Sequence, residues 1–214
     1  MIRGKPGTVL FLVRHGESVW NAESRISGQL NPRLSATGIE QGLSLAKLLR
    51  DVALAHIHTS TLSRTVATAQ VTAASQRVAI QRHAALQELN LGVLQGRFRD
   101  DRDPEARNMW QEWDRDKWRT RVRGGETLND LARRVIPRLG QIVTTATGAS
   151  LIVGHRQTNR VILGTLMRWP RARWDEIEPR ARFLYAVTLG ATPLVVTIRL
   201  TGRHKGKRYH GFRC

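Results

Sequence analysis

Two apolar runs in this chain each end on a histidine, and that pairing constrains the fold more than any other feature. "VLFLVRH" runs into His15 and "SLIVGH" runs into His155. A short, continuous apolar run suits a strand covered on both faces of a parallel sheet. Helical patterns follow both runs, and strands alternating with helices predict an α/β domain. In open α/β sheets, ligands bind outside the carboxyl ends of the strands. A third short strand leads into a helix bearing Arg64, so Arg14, His15, Arg64 and His155 are expected at one place.

The rest of the chain fills in that frame. Residues 8–13 read as the first strand. "NPRLSATGIEQGLSLAKLLRDV" gives turn signals, an N-cap at Ser35 or Thr37, and a helix with Ile39, Leu43, Ala46 and Leu49 on one face. "AHIHTS" is a short strand ending near Ser60, and "TLSRTVATAQVTAAS" is a helix carrying Arg64 in its first turns. "RVAIQ" is a further short strand. Residues 97–123 are polar and Trp-rich, and read as a helical cap insertion outside the main sheet. Within it, Trp110, Trp113 and Trp118 are expected to pack the cap in preference to stacking on a ligand. "ETLNDLARRVIPRLGQIVTTA" resumes helical spacing, with Pro137 expected to kink or break it. "RFLYAVTL" and "PLVVTIRL" read as two late strands joined by "GATP". Residues 201–214 form a basic tail without periodicity, read first as a solvated end. The whole, 1–214, is expected to form a single domain.

Charge narrows the partners. Thirty-five Lys and Arg against 17 Asp and Glu give a formal charge of +18. Such a field attracts anions: phosphorylated metabolites, nucleic acid or acidic surfaces. The single cysteine, Cys214, allows no intrachain disulfide, and "TVLFLV" is too short for a signal segment. No stretch approaches the ~20 apolar residues of a membrane span. The expectation is a soluble cytoplasmic protein without membrane association. The oligomeric state is open, a homodimer included.

The candidate residues share a chemistry. A phosphoryl group carries about two negative charges, and two guanidiniums can clamp its oxygens with charge-assisted hydrogen bonds of about 1.5–3 kcal/mol each. A neutral histidine can attack phosphorus, and a second can stabilise charge growing on the equatorial oxygens. Glu88, in the loop "LQELNLGVLQG" that also carries Gly92 and Gly96, is the best candidate for protonating the leaving oxygen. No carboxylate cluster suits magnesium, and neither a metal nor another cofactor is expected.

With these residues in view, the chain resembles the histidine phosphatase superfamily, in the branch related to cofactor-dependent phosphoglycerate mutase. "LVRHGESVWNAESRISGQLNPRLSATGIEQG", "TSTLSRTVATA", "LQELNLGVLQG", "GGETLNDLARRV" and "VGHRQTNR" match its motifs in order across roughly residues 8–165. The resemblance implies a three-layer α/β/α sandwich with a mainly parallel central sheet. It implies His15 as the phosphorylated nucleophile, Arg14, Arg64 and His155 as the phosphate pocket, and Glu88 as proton donor. Asn21, Ser27 and Gly28 match phosphate- or substrate-contacting positions. Arg99 stands where the mutases have a lysine, and Leu91 where they have a tyrosine. Arg156 stands where many relatives have glycine, so its side chain is free to meet a second anionic group. These departures favour a phosphatase acting on a small anionic phosphate ester, such as a sugar phosphate, with a mutase as the alternative. A third reading, a polyanion- or RNA-binding module with weak catalysis, draws on the charge and the tail alone.

Overall fold

The computed structural model describes Ile2 and residues 4–213. The reading of Cys214 lies outside the described residues. Seven strands form one sheet: β1 (Val9–Arg14), β2 (Leu54–Thr59), β3 (Ile80–Arg82), β4 (Ala149–Gly154), β5 (Phe183–Thr188), β6 (Leu194–Arg199) and β7 (Arg208–His210). Their order is β3-β2-β4-β1-β5-β6-β7. The first four in sequence run parallel, whereas β5, β6 and β7 each pair antiparallel with their inner neighbour. The expectation of a parallel sheet thus holds for the half that carries both histidines. The other half is antiparallel from β5 onward, where β5 meets β1, and the hairpin through "GATP" adds β6 in the same manner.

The helices are α1 (Val19–Ala22), α2 (Ala36–Leu48), α3 (Ser63–Gln76), α4 (Pro104–Arg115), α5 (Leu128–Thr145) and α6 (Arg156–Leu166). The two-residue alternation of β1 explains the three layers. Leu10 and Leu12 join one core cluster with Ile152, residues of α5 such as Leu131, Val135 and Leu139, and Val161 and Ile162 of α6. Phe11 and Val13 join the other with Leu151, Val153, Leu45 of α2, and Ala69 and Ala73 of α3. Each fully buried side chain of this kind contributes about 1.5–3 kcal/mol, so the strand is fixed from both faces. In the β1–β4 register Arg14 lies opposite Gly154, and the His15 N–H donates to the Gly154 carbonyl at 2.9 Å. His15 and His155 therefore leave the sheet side by side.

Several local expectations change. Ser35 is the N-cap of α2, its hydroxyl accepting from the Gly38 N–H at 3.1 Å. Half of the proposed apolar stripe is reversed: Ile39 is 56% and Leu43 51% exposed, while Gly38, Gly42, Leu45 and Ala46 are buried. The reason is close backbone approach, since a Cβ on Gly42 would stand 3.3 Å from the Thr68 carbonyl oxygen of α3. Pro137 neither breaks nor ends α5, which runs continuously from Leu128 to Thr145. It sits on the exposed side, opposite a buried face that includes Leu131, Val135 and Leu139. Within residues 97–123 the regular element is α4, started by Asp103 as N-cap with Pro104 in the first turn. Nor is the tail simply a solvated end. β7 extends the sheet beside β6, and the Phe212 ring packs 5.0 Å from Trp169 and 6.0 Å from Tyr185. An open strand edge and an apolar seat supply what the tail's own sequence does not.

Candidate active site

His15 emerges from β1 almost fully buried. Its Nδ1 donates to the Gly16 carbonyl at 2.7 Å, and its Nε2 accepts from Arg64 Nε at 3.1 Å. That pairing assigns the proton to Nδ1 and leaves the lone pair on Nε2. Burial, then the charges of Arg64 and Arg14, hold the imidazole well below its usual range, against an opposing pull from the Gly16 carbonyl. The ring is thus neutral at physiological pH. Gly16 is required for space more than for turning, because a Cβ there would strike the Gly38 carbonyl oxygen of α2.

Arg64, in the first turn of α3, is 1% exposed. Its Nη1 donates to the Leu30 carbonyl at 2.6 Å and its Nη2 to the Gly28 carbonyl at 2.7 Å. Burial, aided by Arg14 and opposed by Glu88, pulls the guanidinium down to about 10, so it remains charged at neutral pH. Gly28 has φ +50°, and a side chain there would collide with Gln95, whose Oε1 accepts from the Gln29 N–H at 2.7 Å.

His155 is the N-cap residue of α6 and fully buried. Its ring centroid lies 5.1 Å from that of His15. Burial, Arg64, His15, Arg14 and Arg134, in that order, hold it well below its usual range. Its Nε2 lies 2.8 Å from Ser60 Oγ, at the end of β2. Arg14 Nε, Ser27 Oγ and His155 Nδ1 are buried without a hydrogen-bond partner among the described residues. Unpaired buried polar atoms cost about 1–3 kcal/mol each, and such a cost marks a place where a polar ligand belongs.

Glu88 meets the start of α6. Its carboxylate accepts from the N–H groups of Leu89 at 3.0 Å, Gln157 at 3.2 Å and Thr158 at 3.3 Å. Arg134 of α5 holds the loop from below, donating to the carbonyls of Ala85, Gln87 and Glu88 while paired with Glu126.

One cavity collects Arg14, His15, Asn21, Ser27, Gly28, Arg64, Glu88, Arg99 and Arg156. His155 is not among the lining residues, and its ring meets that of His15 edge-on. Arg25, Ile26, Leu89, Leu91, Trp110 and Gln157 complete the lining. Asn21 has its side-chain oxygen committed to the Ser18 N–H at 3.2 Å, leaving its amide N–H groups for a ligand. The tryptophans divide. Trp113 is buried packing, whereas Trp110 packs against the core and also faces the cavity. The sequence reading missed Ser60, Arg134 and Glu178. Ser60 was within reach, because it ends a strand at the same sheet edge as both histidines. Nothing local signals Glu178, whose ion pair with Arg156 spans two separate segments.

The chain matches the histidine phosphatase superfamily (branch 1) over residues 10–192 and belongs to it. Among curated proteins, "Probable phosphoglycerate mutase GpmB" of Yersinia pestis is 33% identical over 162 residues, covering 75% of each chain. Among solved structures, the α-ribazole phosphatase of Shigella flexneri is 24% identical, with a TM-score of 0.80 over 94% of this chain and 99% of that one. Mycobacterial glucosyl-3-phosphoglycerate phosphatase, in its complex with VO3, is 24% identical, with a TM-score of 0.77 over 85% and 92%. At that identity the two structures show a shared fold. By family, the chain is a histidine phosphatase superfamily enzyme, of phosphatase or mutase type.

Proposed function

We propose that this enzyme hydrolyses a small anionic phosphate ester, such as a sugar phosphate, through a phosphohistidine on His15. The observation that carries the reading is the His15 ring. Its Nδ1 is tied to a carbonyl, and its Nε2 lone pair faces a cavity lined by Arg14 and Arg64. In the first step Nε2 bonds to phosphorus as the P–O bond to the alcohol breaks, and Glu88 gives its proton to the departing oxygen. Arg64 Nε leaves the histidine lone pair for a phosphoryl oxygen. Arg14, Ser27 and His155 Nδ1 supply the donors that are unpaired in the free enzyme. Ser60 fixes the His155 tautomer when its hydroxyl donates to Nε2, which makes Nδ1 the N–H. In the second step Glu88 takes a proton from water, the water oxygen bonds to phosphorus, and the N–P bond breaks. The active site would sit entirely on protein groups, with cations surrounding the phosphoryl oxygens.

The names of the two structural neighbours support phosphatase chemistry. The 33% identical relative favours the second reading, a phosphoglycerate mutase. The mutase returns the phosphoryl group to a second hydroxyl instead of water. Free phosphate released from a panel of esters in chelator, measured beside isomerisation of phosphoglycerate with and without a bisphosphorylated primer, separates the two. Dominant, primer-dependent isomerisation with little phosphate release would overturn the phosphatase reading.

A further inference from the structure

Beyond Arg14 the cavity opens into a second cleft lined by Arg14, Asn21, Arg99, Arg156, Glu178 and Arg180. Four guanidiniums there face one carboxylate. Arg156, at the first position of α6, is engaged on one side only. Its Nε lies 2.7 Å from Glu178 Oε1, and its Nη2 donates to Glu178 Oε2 at 2.9 Å. A guanidinium carries five N–H donors in a fixed fork, so the others stay available to the cleft. Glu178 is itself shared, with Arg160 Nη2 3.2 Å from it. Burial pushes the Glu178 carboxyl up, but Arg156 outweighs burial, with Arg160 and Arg14 adding, and the net displacement is downward. Its one negative charge is therefore already spoken for.

The remaining cations are unbalanced. Arg99 and Arg180 make no ion pair among the described residues. Partial desolvation of its guanidinium, though the residue as a whole is exposed, lowers Arg99, and the charge of Arg156 lowers it further against Asp100. Arg14 in turn feels both Arg156 and Arg99. Like charges held this close repel one another, and an anion placed among them relieves that repulsion. Arg14 lines both clefts, so an anion in the second lies within one small molecule's reach of a phosphoryl group in the first.

Building on the phosphatase reading, we propose that this cleft is a second anion subsite. Arg156, Arg180 and Arg99 bind a carboxylate or phosphate borne by the same substrate as the scissile phosphoryl group. Arg156 is held ready by Glu178, and exposed Arg180 closes the outer side. A substrate of this class carries two separated anionic groups, which also suits the chain's strong positive charge.

Matched esters test it. Glycerol 3-phosphate and 3-phosphoglycerate differ by a carboxylate, and fructose 6-phosphate and fructose 1,6-bisphosphate differ by a phosphate. The wild type is expected to prefer the doubly anionic member of at least one pair by about tenfold or more in kcat/KM. The pair that responds identifies carboxylate or phosphate. Arg180→Ala should move that ratio toward one, chiefly through KM, and Arg180→Glu should move it further. Arg180 is exposed, so both variants should melt with the wild type; Arg156→Gln provides a second approach from the inner side. Wild-type ratios within about twofold of one for both pairs, or a ratio that none of the variants changes, overturn the subsite. Failure to release phosphate from any ester, or turnover that survives His15→Ala, overturns the phosphatase reading instead.

Discussion

Arg64 and Arg99 line the same cavity in opposite ways. Arg64 is 1% exposed and donates to two loop carbonyls and to His15. Arg99 is exposed, and its guanidinium rests 6.0 Å from the centre of the Trp110 ring. One is built into the floor by strand ends, a helix start and backbone partners. The other sits on the rim, on a segment without regular structure between Arg97 and the start of α4. The contrast separates two tasks. A buried floor anchored to backbone partners fixes the geometry of the reacting phosphorus, where small displacements cost much rate. An exposed rim is free to differ without disturbing that geometry, and so sets which ester is held there.

Four experiments would break or sharpen this division. His15→Ala, at the centre of the floor, should lower kcat by about 10⁴-fold or more and abolish an acid-labile, base-stable phosphoenzyme. Retained phosphoenzyme would place the nucleophile elsewhere. Glu88→Gln should lower kcat by about 10²–10⁴-fold for alkyl phosphates. The loss should be much smaller for p-nitrophenyl phosphate, whose leaving group needs no proton, and an equal loss on both would deny Glu88 the acid role. Ser60→Ala removes the group that orients His155. It should cost about tenfold in kcat with little change in KM. On the rim, Arg99→Ala should do the reverse, raising KM by several-fold while kcat changes little. If Arg99 lowered kcat as Ser60 does, floor and rim would not be separate.

His58, two residues before Ser60 on β2, is a buried histidine outside the cavity and serves as a control. Its Nδ1 lies 3.1 Å from His83 Nε2. Burial, then the neighbouring His83, His56 and Arg138, lower it from 6.5 to about 4. In the unfolded chain it takes a proton near 6.5, so the unfolded state binds more protons between about 4 and 6.5. The stability it contributes is complete above pH 6.5 and is lost as pH falls toward 4. His58→Gln should flatten that part of the stability profile, read by denaturant unfolding at several pH values, with kcat little changed.

The same contrast governs what was legible in the sequence. "VLFLVRH" and "SLIVGH" could be read because a strand buried on both faces leaves a continuous apolar run, and the register then brings its two histidines together. Ser35 was legible as a cap because its hydroxyl acts within three residues. Ile39 and Leu43 misled because α2 packs through Gly38 against the Glu17 backbone and through Gly42 against α3, and apolar spacing does not register contacts made by absent side chains. β7 was hidden because its pairing partner, β6, supplies the reason for a strand. Glu178 and Arg180 were hidden for a related reason: their relation to Arg156 depends on the fold that brings their segments together.

The hydrogen bond from Arg64 Nε to His15 Nε2 has a consequence for reagent chemistry. In the free enzyme the lone pair that would attack phosphorus is already covered by a donor, inside a ring that is 3% exposed. An electrophile that acylates imidazoles should therefore reach His204 and His210, on the exposed terminal segment, well before His15. Only a reagent that brings its own anion to draw Arg64 aside would label the nucleophile first.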